Sequence, residues 1–259
     1  MTTSIENTAA HNLHSILDRV LQLGDEIILR GWATVLDAPW DSKEFSKRHS
    51  EVVNLLLLTI QQVEALPERA RARTERYIPQ WWTAVMQPTL NWGDSGRPAS
   101  KIIQQVSLDH LESTAELISA HLGGTDAAPS GSDLSQLSSQ CQEWLDLLGA
   151  MGDDEISAGL RAQLTSQIHH LVWLIDNKDL FGGARVSQEA STVAGSLFQA
   201  TNAISAQPEN SSRWKNGLLS FLAACVFFSQ AAPLMQESIE AGSGLVKEIA
   251  STVEEIRGE

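Results

Sequence analysis

Apolar residues recur at three- and four-residue intervals along almost the whole of this 259-residue chain. Ile16, Val20, Leu23 and Ile27 form one stripe; Val53, Leu56, Leu57, Ile60, Val63 and Leu66 form a second; Leu160, Leu164, Ile168, Leu171, Val172 and Ile175 form a third. Successive helical residues are turned by about 100°, so this spacing gathers each set on one face, whereas a half-buried strand needs strict alternation. No alternating run bounded by turn residues competes. The fold class is therefore all-α, a multi-helix bundle.

Breakers cut the stripes into separate helices. Ala38-Pro39 ends the first helical region, and Asp41 with Glu44 has the spacing of a capping box for the next, each side chain satisfying a free amide of the other's turn. Pro67 opens a short Arg-rich helix, Pro79 interrupts the one that follows, and NWGDSGRPAS reads as a loop. A helix over about 100–122 ends at Gly123-Gly124, where glycine can take the left-handed cap conformation. Residues 123–133, rich in Gly, Pro, Ser and Asp, have the composition of a linker. That linker divides the chain into two packed helical subdomains. Residues 1–122 are an N-terminal helical domain with an Arg/Trp-rich segment, and residues 134–259 an acidic bundle with an apolar central helix. Within and around the second part, helices are expected near 133–148, 154–177, 186–206, 212–241 and 245–257.

Charge separates the halves further. Through Ser100 there are 10 Lys+Arg against 12 Asp+Glu, and from Lys101 onward 8 against 20, which together make the formal −14. An acidic field repels phosphate backbones and steers basic protein partners, so nucleic acid is not an expected ligand. The arginines of PERARARTERYIPQWW are read as ion-pairing groups rather than as an RNA site, because Glu68 and Glu75 lie among them. Eight Trp against one Tyr are read as packing anchors. Cys141 and Cys225 sit in apolar helical patterns without metal spacing, as small buried hydrophobes of a reducing compartment. The first residues carry no basic region followed by an apolar core, which leads to a cytoplasmic assignment.

The most apolar stretch, GLLSFLAACVFFSQAAPLMQE, starts at Gly217. A straight helix from Gly217 to Met235 would extend about 28 Å, close to the roughly 30 Å of hydrocarbon in a bilayer. Ser220, Ser229, Gln230 and Pro233 interrupt it, and its unbroken apolar run is only Phe221 to Phe228. A helix apolar all round is what the centre of a bundle requires, and mean hydropathy over the chain is −0.12. The central-core reading is therefore preferred. The alternative is membrane insertion after a trigger, through Leu218, Phe221, Leu222, Val226, Phe227 and Phe228.

Catalytic signatures are sparse: there is no P-loop, no GxSxG and no HExxH. His11, His14 and Asp18 lie at helical spacing on nearly one face and could bind zinc or iron with a further ligand. The polar turn after the third stripe brings Asp176, Asp179 and Arg185 together in sequence as candidate partner-binding residues. The expectation is a soluble, non-enzymatic, cofactor-free protein that binds a basic protein as an immunity-type or regulatory partner. A membrane-disrupting effector is the first alternative. A metal-dependent helical hydrolase using His11, His14 and Asp18 is the second.

Overall fold

The computed structural model describes residues 8–25, 27–90, 96–121, 131–201 and 208–225. Among them every regular element is helical: α1 (Ala9–Leu23), α2 (Ile28–Val35), α3 (Lys43–Glu64), α4 (Glu68–Thr74), α5 (Ile78–Leu90), α6 (Gln105–His121), α7 (Gly131–Ala150), α8 (Ala158–Asp176), α9 (Lys178–Ala200) and α10 (Pro208–Cys225), with single 3-10 turns at Glu75–Tyr77 and Ala99–Lys101. The protein is an all-α multi-helix bundle. Its chain forms two compact units, Met1–Asp126 with Asp179–Arg185, and Ala127–Lys178 with Val186–Glu259.

In the first unit α3 is the central element, with α1, α4, α5 and α6 packed around it. Phe45, His49, Val52, Leu56, Thr59 and Val63 bury one flank, and Glu51, Leu55, Leu58 and Gln62 bury the adjacent one. This register departs from the sequence stripe, since Leu57 is 44% exposed while Glu51 is buried. Four consecutive leucines cannot choose a face by themselves. Polar core residues with partners outside α3 fix it: His49 Nε2 lies 2.9 Å from Val85 O, and Glu51 accepts from Arg185 Nε at 2.6 Å, while Thr59 Oγ1 satisfies itself within the helix on Leu55 O at 2.8 Å. Leu23, assigned to the first stripe, is likewise exposed.

Local chemistry explains the helix starts. Thr8 caps α1 by accepting from His11 N at 3.1 Å. Ser42 rather than Asp41 caps α3, accepting from Phe45 N at 3.0 Å, and Glu44 turns instead to Arg48 Nε at 2.7 Å, so the cap lies one residue later than expected and no capping box forms, position N3 being Phe45. Pro79 stands in the first turn of α5, where its missing N–H leaves no helical bond unmade, and so does not interrupt a helix. Gly24 and Gly31 meet where α1 turns into α2; a Cβ on either would lie 2.7 Å from Val20 O. Trp81 Nε1 donates to Ser107 O at 2.9 Å, and Tyr77 stacks on His110 with ring centroids 3.6 Å apart. These contacts tie α5 and the turn before it to α6.

The second unit is built on α7, which packs against α8 and α10. Leu134, Leu137, Cys141, Trp144 and Leu148 are the buried side of α7. Leu164, Ile168, Leu171 and Leu174 serve α8, and Trp214, Leu218, Phe221, Leu222 and Cys225 serve α10. Trp144 and Trp214 meet edge to face, with centroids 4.6 Å apart and planes at 81°, the arrangement favoured by the ring quadrupoles. Trp214 Nε1 donates to Thr201 Oγ1 at 3.2 Å. Ser157 caps α8, and Arg161 clips the preceding loop by bonding Met151 O and Asp153 Oδ1.

Within α9 the helix is broken at Gly182, with φ 80° and ψ 165°. That region is open essentially to glycine alone. Asp179–Arg185 belongs to the first unit, and a Cβ at Gly182 would land 1.9 Å from Asn12 Nδ2 there. Among the described residues no helix is long and apolar enough to cross a membrane. Leu218, Phe221 and Leu222 are buried. Val226, Phe227 and Phe228 lie outside the described residues, as do Trp92, the Gly123-Gly124 helix end, linker positions 123–130, the 202–206 end of one expected helix and everything expected beyond Cys225.

Candidate functional site

The residues singled out in the sequence are dispersed. Asp176 is exposed at the end of α8, and Asp179 is exposed in the first turn of α9. Arg185 is no surface group: its Nε donates to Glu51 Oε2 at 2.6 Å, with side-chain exposures of 6% and 4%. Asn54 Nδ2 lies 3.2 Å from each Glu51 oxygen. A buried pair of this kind does not offer its cation to a partner, so Arg185 moves from partner contact to core fastener. The pair joins positions 134 residues apart, which no local pattern could reveal.

His11, His14 and Asp18 lie on α1 as their spacing requires, but they do not assemble a metal centre. Among the described residues no group of three or more His, Cys, Asp or Glu could hold a metal ion. Asp18 accepts instead from Gln22 Nε2 at 2.7 Å. The Asp18 carboxylate is thus engaged one turn further along α1, with Gln22.

Most of the remaining polar features point to packing. His49 is held below its ordinary 6.5 by burial, a shift that its hydrogen bond to Val85 O opposes. Burial pushes the Cys141 thiol up to about 12 and raises Cys225 as well, the latter also because a thiolate there would be repelled by one at Cys141. Both are free thiols, and neither is a nucleophile at neutral pH. In the first unit a shallow cleft of about 360 Å³ beside α5 is lined in part by Arg97, Lys101, Gln80 and Gln104.

A second cleft, of about 330 Å³, opens between α7 and α10. Gln140, Glu143, Trp144 and Leu147 line one wall, and Arg213, Asn216, Gly217 and Ser220 the other. Each set reads i, i+3, i+4, i+7, one face of a helix. Gly217 lets the helices approach, since a Cβ there would stand 3.2 Å from Trp144 Cζ2. Two buried polar atoms of residues that line the cleft, the indole Nε1 of Trp144 and the amide Oε1 of Gln140, have no hydrogen-bond partner among the described residues, though neither atom is itself open to the cleft. Gln140 Nε2 is already directed at Glu143 Oε2, 3.1 Å away. Trp32 Nε1, Gln62 Oε1 and Gln167 Oε1 are in the same condition elsewhere among the described residues, so unpaired buried groups do not single this cleft out. From the sequence alone Trp144 is a packing anchor. The matched spacing on the two helices was the signal that could have found this cleft.

Around it the second unit is acidic. It holds 15 Asp+Glu and 6 Lys+Arg, net −9. Glu143, Asp146, Asp153, Asp154 and Asp176 are exposed on it. Comparison with protein-family models, curated proteins and solved structures finds no match to this chain.

Proposed function

We propose that the protein is a non-enzymatic binding module, cytoplasmic, whose acidic second unit docks a basic protein in a regulatory or immunity-type role. The observation that carries this reading is the excess of exposed carboxylates on that unit. Of those just named, only Asp153 is neutralised by an ion pair among the described residues, through Arg161. Opposed fields of this size speed encounter and select for partners of the other sign. The absence of a catalytic motif in the sequence is consistent with such a role.

The test starts from the full chain, used to recover partners from its native host. Affinity for what is recovered is then measured at low and high salt, for the wild type and for an Asp146→Asn/Asp154→Asn/Asp176→Asn variant. A stoichiometric basic protein whose affinity falls with salt and with the substitutions is the expected result. Recovery of no protein, or of a partner indifferent to both changes, overturns the reading.

A further inference from the structure

We infer that the outer face formed by α4, the turn after it and α6 is a self-association surface, on which a second copy of this chain docks about a two-fold axis. Docking of a basic protein to the second unit plays no part in it, since all these elements belong to the first. Two rows of unpaired charge carry the inference. Arg73 and Arg76 are exposed on α4 and on the 3-10 turn at Glu75–Tyr77, and Glu112 and Glu116 are exposed on α6. None of the four side chains has an ion pair or hydrogen bond among the described residues. Glu75, the carboxylate beside the arginines, is taken by Arg71 at 3.5 Å.

The rows are in register. Trp81 donates to Ser107 O and Tyr77 stacks on His110, so α6 runs antiparallel to the stretch from α4 into α5. Continuing that alignment sets Arg76 level with Glu112 and Arg73 level with Glu116, to within about 3 Å along the axes. Yet the rows do not meet within one chain. At about 100° per residue, Glu112 and Glu116 are turned about 120–160° from His110, the side chain that faces the arginine-bearing turn. A two-fold axis parallel to the helices and midway between the rows keeps every level and exchanges the rows. It lays Arg73 and Arg76 of each copy on Glu116 and Glu112 of the other.

Between the rows runs an apolar seam: Val106 is 60% exposed, and Tyr77, His110 and Leu117 are half-buried. His110 and Leu117 follow Val106 at i+4 and i+11, on one side of α6. An apolar centre with a charged rim is the usual anatomy of a protein interface. The rim selects the occupant. A uniformly acidic partner, nucleic acid included, would be repelled by Glu112 and Glu116, and a uniformly basic one by Arg73 and Arg76. A surface carrying the same two rows in reverse order satisfies both, and a second copy presents that surface. With α6 about 25 Å long, a face two helices wide covers about 500 Å² on each copy, about 1,000 Å² in total, the lower limit for a specific complex. The dimer is therefore weak and reversible. The formal −14 of each chain opposes association at a distance, but in about 0.15 M salt that repulsion is screened beyond about 8 Å, while pairs in contact persist.

The experiment sediments the full chain to equilibrium at about 5–300 μM in about 0.15 M salt, alongside two charge-reversed forms, Arg73→Glu/Arg76→Glu and Glu112→Arg/Glu116→Arg. The wild type is expected to pass from monomer to dimer over that range. Each reversed form presents one sign on both rows and is expected to stay monomeric. An equimolar mixture of the two is expected to restore a dimer holding one copy of each, because every facing pair is again opposite in sign. All four positions are exposed, so far-UV dichroism and thermal midpoints should match the wild type. Val106→Asp leaves both rows intact and is expected to weaken the dimer at least about tenfold through the seam. A wild type that stays monomeric at about 300 μM overturns the inference, as does one whose mass climbs past the dimer. It is equally overturned if either reversed form dimerises as the wild type does, if the mixture holds no heterodimer, or if Val106→Asp leaves the affinity unchanged.

Discussion

Removing one partner of the buried Glu51–Arg185 pair gives the strongest test of how the first unit is held together. Arg185→Met keeps most of the stem volume and deletes the charge, leaving the Glu51 carboxylate 4% exposed with Asn54 as a neutral neighbour at 3.2 Å. Breaking a buried pair from one side costs about 3–5 kcal/mol where nothing else compensates the remaining charge, and the field of Lys47, one turn earlier on α3, places the expected loss toward the lower end. That is about a fifth or more of a stability of about 5–15 kcal/mol. At a urea dependence of about 2 kcal/mol per molar, the first unit's midpoint should fall by about 1.5–2.5 M. Glu51→Leu/Arg185→Met removes both charges and should recover most of the loss, since an apolar replacement of similar volume is often neutral or better. Urea titrations of the wild type, both single variants and the double variant, followed by Trp fluorescence and far-UV dichroism, supply the full cycle. A single variant within about 1 kcal/mol of wild type, or a double variant whose loss equals the sum of the singles, would refute the reasoning.

His49 gives a pH signature. Because burial lowers its folded-state pKa below 6.5, the unfolded chain takes up the proton first as pH falls. Stability is therefore full above about pH 6.5 and declines below it, by up to about 1.4 kcal/mol per pH unit, until the folded-state pKa is passed. Urea midpoints from about pH 7.5 to about pH 5 should show this slope, and His49→Gln should flatten it. Gly182→Ala should lose about 1–3 kcal/mol from backbone strain plus the displacement of Asn12; adding Asn12→Gly should return only the second part in a thermal melt. With Cys141 pushed up to about 12, its thiolate fraction at pH 8 is about 10⁻⁴. A thiol-specific disulfide reagent should thus label native protein no faster than it opens, and label it at once in strong denaturant.

The helical character of the chain was legible because three- and four-residue spacing admits little else, and the stops at Pro39 and Pro67 followed from proline's fixed φ and missing donor. Register was not legible in α3. The run from Leu55 to Leu58 is apolar on every side, and the residues that settle its orientation are polar ones whose partners, Val85 O and Arg185, lie far along the chain. Arg185 looked like a surface group because a charged residue in a polar turn usually is one. Burial of Glu51 opposite it is a tertiary fact. Composition could place acidity in the second half, but not decide which carboxylates, such as Asp153, are already clipped by a neighbour.

Seven residues, Asp179–Arg185, complete the first unit although the chain around them belongs to the second. Emerging from a ribosome, residues 1–126 would carry the Glu51 carboxylate in want of its guanidinium until position 185 is made. Synthesis of α7 and α8 falls entirely within that interval. A fragment cut at the Gly/Pro/Ser-rich segment would stay in that unfinished condition permanently. Anyone dissecting this molecule should therefore supply the missing heptapeptide, or neutralise Glu51, before concluding that its amino-terminal half cannot fold.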